Sequence, residues 1–221
     1  MLKLKDVKKC YGERTVLDID KLRLNKGETV AVIGPNGSGK STLLKILADV
    51  IKSDGGQTER SGEIYYLPQQ NTPFGKSVRR NILYCVKKGE GKEAVCDEML
   101  AALGLTALAD KNAKGLSGGE RQRLALARVL VNEGDFLLLD EPSSAADIEG
   151  TELIEKAIAD YRDKTGCGII MTTHSPAQAL KLADRIIMLC DGKIIEDGKP
   201  EELINSPKTE WGKKFINQWK L

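Results

Sequence analysis

One stretch restricts this chain more than any other: Gly34-Pro35-Asn36-Gly37-Ser38-Gly39-Lys40-Ser41-Thr42. The apolar run Thr29 to Ile33 precedes it and reads as a buried strand, and Leu43 to Leu47 follows it and reads as a helix. Strand, glycine-rich loop and helix, in that order, are the context a phosphate-binding loop requires. The glycines let the backbone turn tightly and bring its N–H groups close to phosphate oxygens. The helix directs its positive end at the same anion. Lys40 is expected to reach β- and γ-phosphates, and the Ser41 hydroxyl to take a place on Mg²⁺. A structural glycine turn is the bland alternative; the complete G-x-x-x-x-G-K-S pattern weighs against it.

The 221 residues suit one α/β domain with modest additions. Hydrophobic residues make up 41% and charged residues 30%, the balance of a globular chain. Lys+Arg 34 against Asp+Glu 32 gives a net charge of +2, without the basic excess of a dedicated nucleic-acid binder. No apolar run approaches the roughly 18 residues of a membrane span, and Met1 to Asp6 lacks a signal peptide's apolar stretch. Any membrane role is therefore expected to come through a partner. Cys10, Cys85, Cys96, Cys167 and Cys190 are scattered, without metal-ligand spacing, and read as reduced thiols. His174 is the only histidine, which excludes a histidine metal cluster within the chain.

In chain order, Leu2, Leu4 and Val7 suggest a partly exposed strand, Cys10-Tyr11-Gly12 a turn, and Val16, Ile19, Leu22 and Leu24 a second strand. Lys52 to Gly62 is polar and reads as a loop or short hairpin. Glu63 to Leu67 reads as a strand ending at Pro68-Gln69-Gln70. Between 71 and 115, Ser77 to Leu83 and Lys92 to Gly104 look helical, which predicts a small inserted helical subdomain. Leu116-Ser117-Gly118-Gly119-Glu120 opens the helix that runs to Leu130, a second helix start suited to an anion. Phe136 to Asp140 is an apolar run that ends in the acids Asp140 and Glu141. Such acids sit at the carboxyl edge of a parallel sheet, where ligands bind. There Asp140 would orient Mg²⁺ through water, and Glu141 would polarise an attacking water as general base. Asp147 to Lys164 reads as a helix with Ile148, Leu153, Ile154, Ala157, Ile158 and Tyr161 apolar. Gly168 to Thr173 reads as a buried strand with His174 at its end, before the N-cap pair Ser175-Pro176. Arg185 to Ile195 predicts a hairpin turning at Asp191-Gly192, and Pro200 to Leu221 a helical tail with a core-packing stripe of Trp211, Phe215 and Trp219.

With these motifs in this order, the chain resembles the ATP-binding subunit of an ABC transporter over nearly its whole length. Leu116 to Glu120 matches that family's signature. The resemblance implies an α/β fold with a P-loop NTPase (RecA-like) core, a small antiparallel β part and the inserted helical subdomain. It implies ATP and Mg²⁺ as cofactors, Tyr11 stacked on adenine, and Gln69, with Gln70 as the alternative, reaching Mg²⁺ and the attacking water. His174 would hydrogen-bond the γ-phosphate and sense hydrolysis. Two chains would pair head to tail, the P-loop of one and Ser117, Gly118 and Gly119 of the other enclosing each ATP. The expected partners are transmembrane permease subunits and, indirectly, a substrate-binding protein, with the chain peripheral at the cytoplasmic face of the membrane. The loop Pro142 to Asp147 departs from the family at Ala146, where leucine is usual. The Asp110-to-Gly115 stretch lacks the segment typical of fused exporters, which favours an importer. Ser144 to Thr151 is similar to the tungstate-type version, which suggests a small oxyanion. An amino-acid importer, a lipoprotein or peptide exporter, and a non-transport ABC-type ATPase on nucleic acid remain as alternatives. A P-loop kinase leaves Leu116 to Glu120 and His174 without a role.

Lys40 opens a helix whose packing does not use the ammonium group. Lys40→Ala is therefore expected to abolish ATP turnover while circular dichroism stays that of the folded chain; near-normal turnover would remove the P-loop assignment.

Overall fold

The alternation of short apolar runs with helical segments builds a parallel sheet, because each helix must carry the chain back across the sheet before the next strand begins. A computed structural model describes residues 1–87 and 91–218. Its strands are β1 (Leu2–Tyr11), β2 (Arg14–Leu24), β3 (Thr29–Ile33), β4 (Gly55–Arg60), β5 (Ile64–Leu67), β6 (Phe136–Asp140), β7 (Gly168–Thr172), β8 (Arg185–Cys190) and β9 (Lys193–Gly198). Its helices are α1 (Lys40–Leu47), α2 (Val78–Cys85), α3 (Lys92–Ala102), α4 (Gly118–Leu130), α5 (Ile148–Thr165), α6 (Pro176–Leu182), α7 (Pro200–Asn205) and α8 (Glu210–Asn217). The larger sheet has the order β5-β6-β7-β3-β8-β9. All its neighbours run parallel except the β8–β9 hairpin.

Every residue of β3, β6 and β7 is buried, since both faces of this sheet are covered. Side chains alternate between two cores. Val30, Val32, Phe136 and Leu138 face α1 and the smaller sheet, while Ala31, Ile33, Leu137 and Leu139 face α2 to α5. The smaller sheet is antiparallel, in the order β2-β1-β4. Leu2, Leu4, Val7, Leu17 and Ile19 are its buried side, and Lys5 and Lys8 remain in water. The expected α/β fold with an antiparallel part is thus the one observed.

The differences are local and have physical reasons. The Lys52-to-Gly62 segment is not a loop or hairpin of its own. Its residues 55–60 form the edge strand β4 on β1, held by backbone pairing, with no side chain in the core that would leave an apolar alternation to read. Cys10 and Tyr11 belong to β1 rather than to the turn, which falls at Gly12-Glu13. Ile148, expected on the apolar face of α5, is 84% exposed. It is the first helical residue beside the N-cap Asp147, before the buried stripe begins. The tail is two helices broken at Ser206-Pro207, because proline cannot continue the first. Trp211 stacks on the buried Phe215 at 4.9 Å between ring centroids; Trp219 lies outside the described residues.

The tail is tied to the sheet by one carboxylate. Glu196 of β9 is 7% exposed and accepts from the amides of Lys208 and Thr209 and from the Thr209 hydroxyl. Gly212 leaves room for it, since a Cβ there would lie 2.2 Å from Glu196 Oε1. Burial pushes the Glu196 pKa up, and these donors outweigh it, so the net shift is downward. Glu196→Ala should cost about 1–3 kcal/mol in urea unfolding. A depressed pKa stabilises above the unfolded value, so the difference between native chain and variant should shrink as pH falls through the carboxylate range.

Candidate functional site

β5, β6, β7 and β3 lie side by side and parallel, so their carboxyl ends reach the same edge of the sheet. The chain leaving them carries Gln69, Asp140 with Glu141, Thr173 with His174, and the Gly34-to-Thr42 loop. Neighbouring strand ends are about 5 Å apart, which brings residues distant in sequence into one site.

The loop wraps closely onto the body of the protein. Gly34 has φ 156°, and a Cβ there would meet the Leu189 carbonyl oxygen at 2.1 Å. Gly39, at φ 105°, would put a Cβ 2.6 Å from the Val16 carbonyl oxygen. Pro35, Asn36 and Gly37 form the outer rim, and the Ser38 hydroxyl is buried without a partner. Gly39 is the N-cap of α1 and supplies no side-chain cap, so the first amides of the helix are open to an anion. Lys40 is 6% exposed, and its Nζ donates to the carbonyls of Gly34 (2.9 Å) and Pro35 (3.0 Å). Burial lowers its pKa, while the Glu141 and Asp140 carboxylates push in the opposite direction. Thr42 lies in the first turn of α1.

Asp140 is 2% exposed. Its Oδ1 accepts from the Ser41 hydroxyl (3.1 Å) and the Thr172 hydroxyl (2.7 Å). Glu141 follows with φ 52°, a left-handed backbone. Its Oε2 accepts from Gln69 Nε2 at 2.8 Å, and its Oε1 lies 2.5 Å from His174 Nε2. Of the two glutamines left open by sequence, Gln69 is thus the one bonded to Glu141. A cavity of about 300 Å³ opens beside Glu141 and His174, bordered also by Ser143, Thr173, Ser175 and Gln178.

Ser117, Gly118 and Gly119 lie elsewhere. Ser117 caps α4 by a capping box: its hydroxyl accepts from the Glu120 amide, and Glu120 Oε2 accepts from the Ser117 amide. The amides of Gly118 and Gly119 are left at the tip of the helix. A Cβ on Gly119 would lie 3.2 Å from the Ala145 carbonyl oxygen, so this tip rests on the Pro142-to-Asp147 loop. Among the described residues, no hydrogen bond joins it to the Gly34-to-Thr42 loop. Tyr11 stands 55% exposed at the end of β1, with Lys9 Nζ 5.6 Å from its ring centre.

Among the described residues, no cluster of three His, Cys, Asp or Glu could hold a metal by itself. The Ser41 hydroxyl beside the Asp140 carboxylate fits a magnesium ion that arrives with its phosphates, since Mg²⁺ is commonly held by one or two protein oxygens plus phosphate and water. When bound, such an ion neutralises charge on the transferred phosphates.

Three nearby residues escape a reading of the sequence. Thr172 looks like one more β-branched strand residue until strand pairing sets it opposite Asp140. Gln122 is 4% exposed in α4 and donates to the Glu141 carbonyl at 3.2 Å. Arg14, just past the β1 turn, places Nη2 3.8 Å from where a Gly37 Cβ would lie, so a guanidinium stands beside the loop.

A family profile described as "ABC transporter" matches residues 17–144. The tungstate uptake system ATP-binding protein of Peptoclostridium acidaminophilum is 40% identical over 86% of this chain and 95% of its own length. The phosphate import ATP-binding protein of Natronomonas pharaonis is 37% identical over 94% of this chain and 83% of its own. The spermidine/putrescine import ATP-binding protein of Clostridioides difficile is 35% identical over 99% of this chain and 67% of its own. Among solved structures, a dimeric ATP-binding cassette in a post-hydrolysis state, bound to ADP and Pi, superposes with TM-score 0.82 at 29% identity, covering 90% of this chain and 99% of that one.

Proposed function

This chain belongs to the ABC transporter family, and from that premise we propose that it is the ATP-hydrolysing subunit of an importer, working as an ATP-bridged dimer on a membrane permease. One observation carries the catalytic part. Glu141 is held beside the phosphate-binding loop with both carboxylate oxygens placed, one by Gln69 and one by His174. In this reading Glu141 takes the proton of the attacking water. His174 and Gln69 orient it and face the γ-phosphate, and Lys40 leaves its two carbonyls to meet the β- and γ-phosphates. Tyr11, with Arg14 nearby, covers the adenine side.

Ser117, Gly118 and Gly119 form a second helix start suited to an anion, besides the one at the Gly34-to-Thr42 loop, which supports a role toward a second chain's nucleotide. ATP would then bridge two chains and favour the closed pair, and hydrolysis would release it. The 71–115 insert is the subdomain we assign to the permease. Its support is an apolar patch where Tyr84 is 78% exposed and Phe74 39% exposed, ring to ring at 5.0 Å, with Lys76, Arg80 and Leu83 around a groove. Among the described residues, no helix is long and apolar enough to cross a membrane, consistent with a peripheral place at the cytoplasmic face.

Glutamine at position 141 keeps the shape and removes the base. Glu141→Gln should bind MgATP, lower turnover by on the order of 10²–10⁴, and accumulate as a dimer in size-exclusion chromatography with ATP. A variant that stays monomeric under saturating ATP, or keeps full turnover, removes this reading.

For the cargo we propose a small oxyanion of the tungstate, molybdate or phosphate kind. The support is the Ser144-to-Thr151 loop and the names of two relatives, with a polyamine importer as the counter-example. The substrate-binding protein that we expect to serve this transporter should bind one of these anions tightly in calorimetry. Tight binding of spermidine or an amino acid, with no response to oxyanions, ends the cargo proposal and leaves the ATPase untouched.

A further inference from the structure

Among the described residues, Glu141 is one of four non-glycine residues with a positive φ, and the other three, Asp6, Asp49 and Asp191, are aspartates. Aspartate can compensate for this conformation by bonding its own neighbouring backbone; glutamate is too long to do so easily. Something else must hold Glu141 there, and the peptide groups on either side show what does. Its N–H donates to Thr172 Oγ1 at 2.9 Å, and its carbonyl accepts from Gln122 Nε2 at 3.2 Å. Both side chains are buried, Thr172 at 0% and Gln122 at 4% exposure, and they come from β7 and α4, on different elements.

The Thr172 hydroxyl has one proton and it goes to Asp140 Oδ1, at 2.7 Å. Its lone pairs are then turned toward the Glu141 amide, so a single oxygen fixes the two acids relative to each other. Gln122 is anchored in turn, its Oε1 accepting from Asn71 Nδ2 at 3.3 Å. We propose that Thr172 and Gln122 are positioning residues for hydrolysis: they clamp the two peptide groups of Glu141 and so aim its carboxylate. The clamp rests on the reading of Glu141 as the base. A rotation of either peptide would swing the Cβ of Glu141, and a displacement of about 1 Å at a reacting group is enough to cost on the order of 100-fold in rate.

Thr172→Val keeps the shape and removes the hydroxyl; Thr172→Ser keeps the hydroxyl; Gln122→Met removes the amide donor at similar length. Each is assayed for kcat and KM of ATP hydrolysis with Mg²⁺, for binding of a fluorescent ATP analogue, and for Tm. Thr172→Val and Gln122→Met should lower kcat about 10- to 100-fold with KM and analogue affinity within about threefold, and Thr172→Ser should stay within about threefold of the unsubstituted chain. If Thr172→Val does not fold, Gln122→Met decides. Normal kcat in the folded variants overturns the clamp, as does a serine variant as slow as the valine one, which would assign the loss to the methyl group. Loss of turnover in Glu141→Gln judges the reading of Glu141 as the base separately, since the clamp is read only from ratios to the turnover of the unsubstituted chain.

Discussion

The site depends on parallel pairing among β5, β6, β7 and β3. Antiparallel strands would send every second carboxyl end to the far side of the molecule. Parallel ones deliver Gln69, Asp140, Glu141, His174 and the Gly34 loop to the same edge, at spacings set by backbone hydrogen bonds. The requirement explains the cores as well. Helices and a second sheet must cover both faces, so β3, β6 and β7 are buried throughout and apolar between their ends, with polarity only at Thr29, Asp140 and Thr172.

At that edge, charge is arranged with little water to screen it. A buried lysine resists its own charge, and two carboxylates nearby favour it again. The ammonium group is occupied by two loop carbonyls, neutral acceptors that a phosphate would out-compete. The same economy appears at Asp140, where two hydroxyls converge on one oxygen. The loop is packed closely against the body of the protein, and its Gly34 and Gly39 backbones admit no side chain.

Much of this was legible in the residues because it is local. The Gly34-to-Thr42 pattern needs only its flanking strand and helix, and Ser117, Asp147 and Ser175 stand at helix starts where their side chains do accept from amides. Asp191-Gly192 makes the hairpin turn with both residues at positive φ. What stayed hidden depends on pairing across long separations. β4 carries no apolar face: it is held on β1 by its backbone ladder and by the Lys3–Glu59 ion pair. Thr172 acquires a partner only through the β6–β7 register. Gln122 looked like one more polar residue of a helix, and nothing in α4 alone says that it is buried against Glu141. Gln69 and Gln70 are adjacent and chemically identical, and only the direction of the chain after β5 separates them.

The capping box at Ser117 has a consequence for how long two chains would stay together. Glu120 brings a full negative charge to a helix end, and its pKa is lowered chiefly by the Ser117 amide that it accepts from. An anion approaching that end from another molecule meets a field already partly cancelled, with only the Gly118 and Gly119 amides and one hydroxyl to grip. In the dimer proposed above, such a contact would be weakened by the Glu120 charge and would release more easily. A helix end without that carboxylate would hold the anion longer, and slow release is a disadvantage in any device that must cycle.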